Sequence, residues 1–301
     1  MTDQVSVRVP GKINLQLSVG PLQRDGYHEL ATVFQSVSLF DEITVCEIEE
    51  GIEIHSDAKS AIPLGKENLA YQAAEIMRKR FDIESGLSIK IKKEIPIAGG
   101  MAGGSADAGG TIVAIDSLFS LGLKRDEMER IGSELGADVP FTISGGTAIG
   151  TGRGDQIAPV LSRGSYNWVL ALSSSGLSTP SVYKECDRLR EGLDISKPFV
   201  SDTLLQALSH GDSKALGKSL SNDLQPAACS LKPALRLILD VGLDYGALGG
   251  IVSGSGPTVA FLAENEDHAL DLVVALTSSG VVGNVIRVAG PVPGARVITS
   301  A

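Results

Sequence analysis

The run Ala98-Gly-Gly-Met-Ala-Gly-Gly-Ser-Ala-Asp107 carries glycines at 99, 100, 103 and 104, so several backbone amides of one short segment lack side-chain cover. Bare amides that open onto a helix suit a polyphosphate, because the N–H groups and the helix dipole both favour negative charge. Ser105 adds a hydroxyl able to bond a phosphate oxygen or to ligate Mg2+. The spacing is not that of a P-loop, which demands Lys before the hydroxyl where this chain has Gly104. It also lacks the GxGxxG order of a dinucleotide fingerprint. A glycine-rich turn that serves only packing would read the same in isolation.

Two charged residues extend this chemistry. Asp138 lies between Gly136 and Pro140, in a constrained turn at the end of an expected helix. A carboxylate held there can take the proton of an alcohol, a poor nucleophile at neutral pH. It can equally bond nearby backbone amides, as Asp often does at turns. Lys12 follows an expected strand and Pro10-Gly11, read as a tight exit that projects the side chain into a cleft. Its ammonium beside Asp138 would stabilise charge developing on an attacking oxygen. The plainer alternative is a surface lysine. Lys93, just before the loop, is within reach of a phosphate, and Lys90, Lys92 and Lys93 form a local basic cluster. That cluster reads either as a solvated strand face or as a local attraction for triphosphate.

The elements that must hold these groups follow from periodicity. Val5, Val7 and Val9 alternate with polar residues up to Pro10-Gly11, and residues 43–47, 52–55 and 87–95 alternate in the same way, which predicts strands. From Asn68 the apolar positions Leu69, Ala73, Ile76 and Met77 fall on one helical face, with Asn68 placed as N-cap. Residues 108–118 suit a helix, with 105–107 supplying its first turn. A further helix is expected from Asp126 as cap to Leu135, closed by Gly136. Strand, glycine loop, helix is the order a phosphate cradle needs. Beyond residue 160 come an apolar segment at 168–172 and helix candidates at 183–190, 204–209, 233–241 and 267–276. A division into domains 1–160 and 161–301 is expected, with no repeat or low-complexity linker between them.

Composition narrows the function classes. The 301 residues are 43% hydrophobic and 21% charged, as in a folded globular protein. A net charge of -10 argues against a broad nucleic-acid face, which relies on Lys and Arg to neutralise several phosphates. Cys46, Cys186 and Cys229 show no CxxC spacing, so a disulfide framework or zinc site is unsupported and a reducing cytoplasm is the simplest home. No membrane segment and no leader are expected, since no apolar run reaches spanning length. The oligomeric state is left open.

At the glycine loop the chain resembles the superfamily of galactokinase, homoserine kinase, mevalonate kinase and phosphomevalonate kinase, the GHMP kinases. Their central loop reads P-x-x-x-G-L-G-G-S-S-A, and Pro96-Ile-Ala-Gly-Gly-Met-Ala-Gly-Gly-Ser-Ala is similar to it, departing at Met101 and Ala102. Two further motifs of that superfamily follow in order: Pro10-Gly-Lys-Ile-Asn14-Leu and Gly254-Ser-Gly-Pro-Thr258. Asp25-Gly-Tyr-His-Glu-Leu30, Glu67-Asn-Leu69 and Gly136-Ala-Asp-Val-Pro-Phe141 narrow the resemblance to the branch that phosphorylates 4-diphosphocytidyl-2-C-methyl-D-erythritol in the non-mevalonate route to isoprenoids.

The resemblance implies an α+β, two-domain fold: an N-terminal domain like the second domain of ribosomal protein S5, a ferredoxin-like C-terminal domain, and an active site between them. It implies ATP and Mg2+ as cofactors and a cytidine diphosphate-linked sugar alcohol as the small-molecule substrate. Asp138 would be the base and Lys12 its electrostatic partner. The nucleotide side would comprise Asn68, Lys93, Pro96, Gly99, Gly100, Met101, Ala102, Gly103, Gly104, Ser105 and Ala106, with Ser105 also at the metal. On the substrate side, Tyr27, His28 and Tyr183 would surround the cytosine and Asn14 the alcohol, while Ser255 would support the phosphate loop or the substrate diphosphate. Another kinase of the superfamily and a silent nucleotide-binding sensor are the competing readings.

Overall fold

The computed structural model describes residues 4–58, 62–173 and 175–300. The chain begins with two long strands, β1 (Gln4–Leu22) and β2 (His28–Ile48), followed by β3 (Ile52–Ser56), α1 (Leu69–Arg80) and β4 (Gly86–Lys92). Helices α2 (Gly103–Leu118), α3 (Arg125–Ser133) and α4 (Val139–Ser144) precede the hairpin β5 (Thr147–Gly152) and β6 (Gln156–Pro159). After β7 (Tyr166–Leu172) come α5 (Thr179–Leu189), α6 (Asp202–His210), α7 (Ser213–Ser219), the short β8 (Ser221–Asn222), α8 (Gln225–Leu231) and α9 (Ala234–Asp244). The hairpin β9 (Gly249–Val252) and β10 (Val259–Ala263), then α10 (Glu266–Ser278), β11 (Asn284–Gly290) and β12 (Arg296–Ser300), complete the chain.

Two sheets result. The larger runs β12-β1-β2-β4-β3, with β5 and β6 extending from β2 and β8 pairing with β1. The smaller runs β11-β7-β10-β9, with antiparallel neighbours throughout. Numbered in its own chain order that sheet reads 4-1-3-2, the ferredoxin-like arrangement the resemblance implied. In β1 the inward valines Val5, Val7 and Val9 are buried as alternation demands. The strand does not stop at Pro10-Gly11, however. It continues to Leu22 with a register shift between Pro10 and Gly11, so Lys12 sits inside a strand and not at a turn exit. A bulge re-aims side chains while pairing goes on, and local sequence does not separate it from a turn.

Helix α2 is the central element of the first half. It is buried along most of its length, and Ala106, Ala108, Ile112, Ala114 and Ile115 lie in the core. Gly109 and Gly110 sit within it, at roughly 1 kcal/mol each relative to alanine. Contact requires them: a Cβ on Gly110 would lie 2.7 Å from Ile43 Cγ1, and one on Gly109 2.4 Å from Thr142 Oγ1. The helix opens at Gly103, so the second half of the glycine loop is itself helical. Helix α3 is capped two residues earlier than expected, at Lys124 in place of Asp126, with the Lys124 N–H donating to Glu127 Oε2 at 2.9 Å, and it ends at Ser133, short of Leu135. Among the later helices, α5 begins four residues earlier than its apolar pattern, at Thr179 with Pro180 in its first turn, and α9 ends three residues later, at Asp244.

Candidate active site

Strand geometry sets the first contacts. Lys12 and Asn14 are two residues apart on β1 and share a face. Lys12 Nζ donates to Asn14 Oδ1 at 2.7 Å, Asn14 Nδ2 donates to Thr32 Oγ1 at 2.8 Å, and Thr32 Oγ1 donates to the Gln16 carbonyl at 2.6 Å. The chain of donors fixes which way the Asn14 amide faces. Lys12 is also tied to the glycine loop through its backbone, its N–H donating to the Met101 carbonyl at 3.2 Å. The ammonium is buried and faces Gly254, where an added Cβ would stand 3.3 Å from Nζ.

Asp138 precedes α4, whose first turn contains Pro140, and its side chain bonds no cap amide. Its Oδ2 lies 3.7 Å from Lys12 Nζ, too far for a hydrogen bond but close enough for attraction. About a third of the Asp138 side chain meets solvent, against 5% for Lys12. The carboxylate is therefore unspent and faces a cation.

The glycine loop crosses the same cavity, of about 630 Å3, which Lys12, Asn14, Ser105, Asp138 and Ser255 all line. Gly100 has φ +77°, and a Cβ there would fall 2.1 Å from the Ser253 carbonyl oxygen. Ala98 and Ala102 hold positive φ of 51° and 61° without being glycine, a strained conformation of the kind that collects at functional loops. The second motif-bearing stretch clamps the loop from the other sheet: Ser253 Oγ donates to the Gly100 carbonyl at 2.9 Å, and Thr258 N–H to that of Gly99 at 3.2 Å. Asn222 Nδ2 holds the Gly254 and Val252 carbonyls at 2.7 Å each, and Ser255 Oγ lies 2.9 Å from Thr179 Oγ1. Pro96, Met101 and Ala106 do not line the cavity. Met101 and Ala106 are buried in the core, so their part is to hold the loop.

A smaller cavity of about 150 Å3 adjoins on one side, sharing Leu69, Ala98 and Gly104 with the first. Asn68 lines it while capping α1: Oδ1 accepts from Ala70 N–H at 2.8 Å and Nδ2 donates to the Pro63 carbonyl at 2.7 Å. Lys93 lines it too, but its ammonium is not free for a phosphate. It is bonded to Asp41 and donates to Asp107 Oδ2 at 2.9 Å and the Gly103 carbonyl at 3.1 Å, three acceptors for three donors. Burial and the second carboxylate push the Asp107 carboxyl up to about 8, with Lys93 opposing, while the two carboxylates hold the Lys93 ammonium above its usual range despite its burial. Asp107 Oδ1 has no partner. Lys93 is thus turned away from the exposed Lys90 and Lys92, and the expected basic cluster is two surface lysines and one buried clamp.

On the other side lies a cavity of about 810 Å3 that shares Leu30, Ala137, Arg153, Thr179, Pro180 and Tyr183 with the first. Tyr27, His28 and Tyr183 come together there. His28 is buried, with Nδ1 donating to the Gly20 carbonyl at 2.8 Å and Nε2 3.3 Å from Asp187 Oδ1. The His28 and Tyr183 rings stand 5.3 Å apart, and burial, with Asp138 nearby, pushes the Tyr183 phenol up. Tyr27 is half exposed and lies under the Arg153 guanidinium, 3.9 Å from ring centroid. The three cavities thus form one groove with the lysine–aspartate pair in its middle.

Sequence reading missed Asp41, Asp187 and Arg153. Asp41 had a signal: it is in phase with Ile43 and Val45, so a half-buried strand turns it inward. Arg153 had one as well, standing between two glycines. Asp187 had none, because only tertiary packing brings α5 against His28.

Family models for the GHMP kinases N terminal domain and the GHMP kinases C terminal match residues 68–146 and 204–282. The chain belongs to the GHMP kinase family. It is an ATP-dependent small-molecule kinase, and its three motif stretches meet around one cavity as the family's order requires. Among curated relatives, the 4-diphosphocytidyl-2-C-methyl-D-erythritol kinase of Mycolicibacterium gilvum is 49% identical over 301 residues, 99% of this chain and 94% of that protein. The kinase of the same name from Thermobifida fusca is 47% identical over 303 residues, 98% of each chain. A crystal structure of 4-(cytidine 5'-diphospho)-2C-methyl-D-erythritol kinase superposes with a TM-score of 0.79 at 30% identity, covering 95% of this GHMP kinase and 99% of that chain. Homoserine kinase from Cytophaga hutchinsonii superposes at 0.76 with 18% identity, covering 99% and 98% of the two chains, a likeness of fold alone. Among the described residues, no helix is long and apolar enough to cross a membrane.

Proposed function

We propose that this protein transfers the γ-phosphoryl group of ATP to the 2-hydroxyl of 4-diphosphocytidyl-2-C-methyl-D-erythritol, a step of the non-mevalonate isoprenoid route. The observation that carries the reading is the groove itself, with a glycine loop at its centre, an aromatic and histidine platform at one end, and an unspent carboxylate facing a buried ammonium between them. The relatives' names agree with it.

In this mechanism ATP lies with its base towards Asn68 and its phosphates on the amides of residues 99–105. The cytosine stacks between Tyr27 and Tyr183, with His28 at its polar edge. The alcohol enters the gap between Lys12 and Asp138. An oxygen at roughly hydrogen-bond distance from both partners fits a separation of 3.7 Å. Asp138 then accepts the hydroxyl proton as the new O–P bond forms and the bond from the γ-phosphorus to the bridging oxygen breaks, ADP leaving, while Lys12 stabilises charge on the attacking oxygen. Asn14 holds Lys12 in place. Positioning and charge neutralisation supply most of the acceleration in phosphoryl transfer, so Lys12 and the loop amides together outweigh Asp138.

Mg2+ bound with ATP would offset the negative charge of its phosphates. Ser105 suits it: the residue lines the cavity in the first turn of α2, beside the loop amides. Among the described residues there is no cluster of three or more His, Cys, Asp or Glu side chains placed to hold a metal. The same reading divides the chain near residue 160, between the strand that ends at Pro159 and the one that begins at Tyr166. A cytoplasmic setting accords with three free cysteines.

The test is incubation of the protein with ATP, Mg2+ and 4-diphosphocytidyl-2-C-methyl-D-erythritol, followed by mass spectrometry. The expected product carries one added phosphoryl group. Turnover of mevalonate or homoserine but not of the cytidylyl substrate would replace this reading with that of another GHMP kinase. ATP binding without transfer to any acceptor would make the protein a sensor.

A further inference from the structure

Arg153 stands where the aromatic end of the groove meets the central cavity, and it lines both. Lys184 lines only the aromatic end and Lys12 only the centre. Gly152 and Gly154 flank Arg153 with φ of +68° and +95°, a tight reversal between β5 and β6 that side-chain-bearing residues rarely adopt. The guanidinium carbon sits over the Tyr27 ring, 3.9 Å from its centroid, and Nη2 is 3.7 Å from Asp25 Oδ2. The other Asp25 oxygen accepts from the Tyr27 N–H at 3.0 Å, so one carboxylate shapes the turn that presents Tyr27 and loosely parks the arginine over it. At 3.7 Å the pair is not hydrogen-bonded, and both side chains are more than half exposed, 58% and 54%. The planar fork of donors is available.

We infer that Arg153 binds the diphosphate joining base to alcohol in the substrate, a further binding residue of the proposed reaction. The inference rests on the cytidylyl reading above. A base on the Tyr27 and Tyr183 platform and an alcohol at Asp138 leave the linker at the junction of the two cavities, and Arg153 is the cation there. The chain carries a net charge of -10, and Asp138, Asp155 and Asp187 line the groove, so a diphosphate entering it needs a local positive partner. Guanidinium suits this because its parallel N–H groups match phosphate oxygens in pairs while its face stays on an aromatic ring. Asp25 then exchanges its loose partner for solvent as the substrate arrives.

The experiment compares the affinity of CDP and of cytidine, by calorimetry, for the full-length protein and for Arg153→Gln and Arg153→Lys. Wild type should prefer CDP, and Arg153→Gln should lose about tenfold to a hundredfold of that preference while its cytidine affinity holds, the span expected for a charge-assisted hydrogen bond. Arg153→Lys should keep part of the preference. An equal loss of both ligands would overturn the assignment by reducing Arg153 to a brace for Tyr27, and an unchanged ratio would overturn it outright. If wild type binds neither CDP nor cytidine while still binding ATP, the cytidylyl reading itself fails and takes this inference with it.

Discussion

Asp138→Asn isolates the proposed proton acceptor with little structural disturbance. The side chain keeps its size and, since Asp138 bonds no cap amide, no helix cap is lost. Two effects act. Loss of a general base reduces turnover by about 10^2 to 10^4, which is roughly 3 to 5 kcal/mol of barrier. Loss of attraction to Lys12 is the second. Unit charges near 4 Å interact by on the order of 4 kcal/mol at an effective dielectric of 20. Here a third of the Asp138 side chain is exposed and Lys12 keeps Asn14, so screening leaves a stability change of at most about 1 kcal/mol. The assay is single-turnover and steady-state phosphoryl transfer, with calorimetric binding of a non-hydrolysable ATP analogue and a thermal melt alongside. The variant should lose at least about a hundredfold in kcat. Its nucleotide affinity should stay within about threefold of wild type. Turnover within about threefold of wild type would refute the base, and a parallel collapse of ATP affinity would show that the substitution damages the cradle instead.

Gly100→Ala should destabilise the protein by roughly 1 to 3 kcal/mol and weaken ATP binding, read by thermal melt and calorimetry, because a Cβ would stand 2.1 Å from the Ser253 oxygen at φ +77°. Tyr27→Ala and His28→Ala should raise KM for the cytidylyl substrate, the tyrosine by about 1 to 3 kcal/mol, with KM for ATP little changed; equal loss for both ligands would mean misfolding. Asp107→Asn concerns pH. The folded Asp107 carboxyl titrates near 8 against an ordinary 3.8, so the native state binds this proton more tightly. Its contribution to stability is full below about pH 4 and is lost as pH rises through about 8. The asparagine variant, which still accepts from Lys93, should therefore melt with a flatter pH dependence between about pH 4 and 8; identical slopes would reject the shift.

Much of the site was legible because its parts are short local patterns. The glycine loop announced bare amides, the spacing after Asn68 announced a capped helix, and Gly136 and Pro140 marked a constrained Asp138. Each rests on residues a few positions apart. What escaped depends on distant pairing. Lys93 looks like one of three surface cations until Asp41, 52 positions away, and Asp107, 14 away, enclose it. Pro10-Gly11 looks like a turn until β2 pairs with both sides of it. His28 gains Asp187 only when the second half of the chain packs against the first.

The position of β12 bears on how the protein is made. Strand β1 offers two edges; β2 takes one, and Val5 to Arg8 on the other are covered by Arg296–Ser300. A ribosome adding about 5 to 20 residues per second leaves that edge bare for tens of seconds after the glycine loop and its helix have emerged. An uncovered edge is a template for other chains. The nascent first half therefore depends on the distant strand Arg296–Ser300 to seal it, and shielding by a chaperone would matter most in that interval.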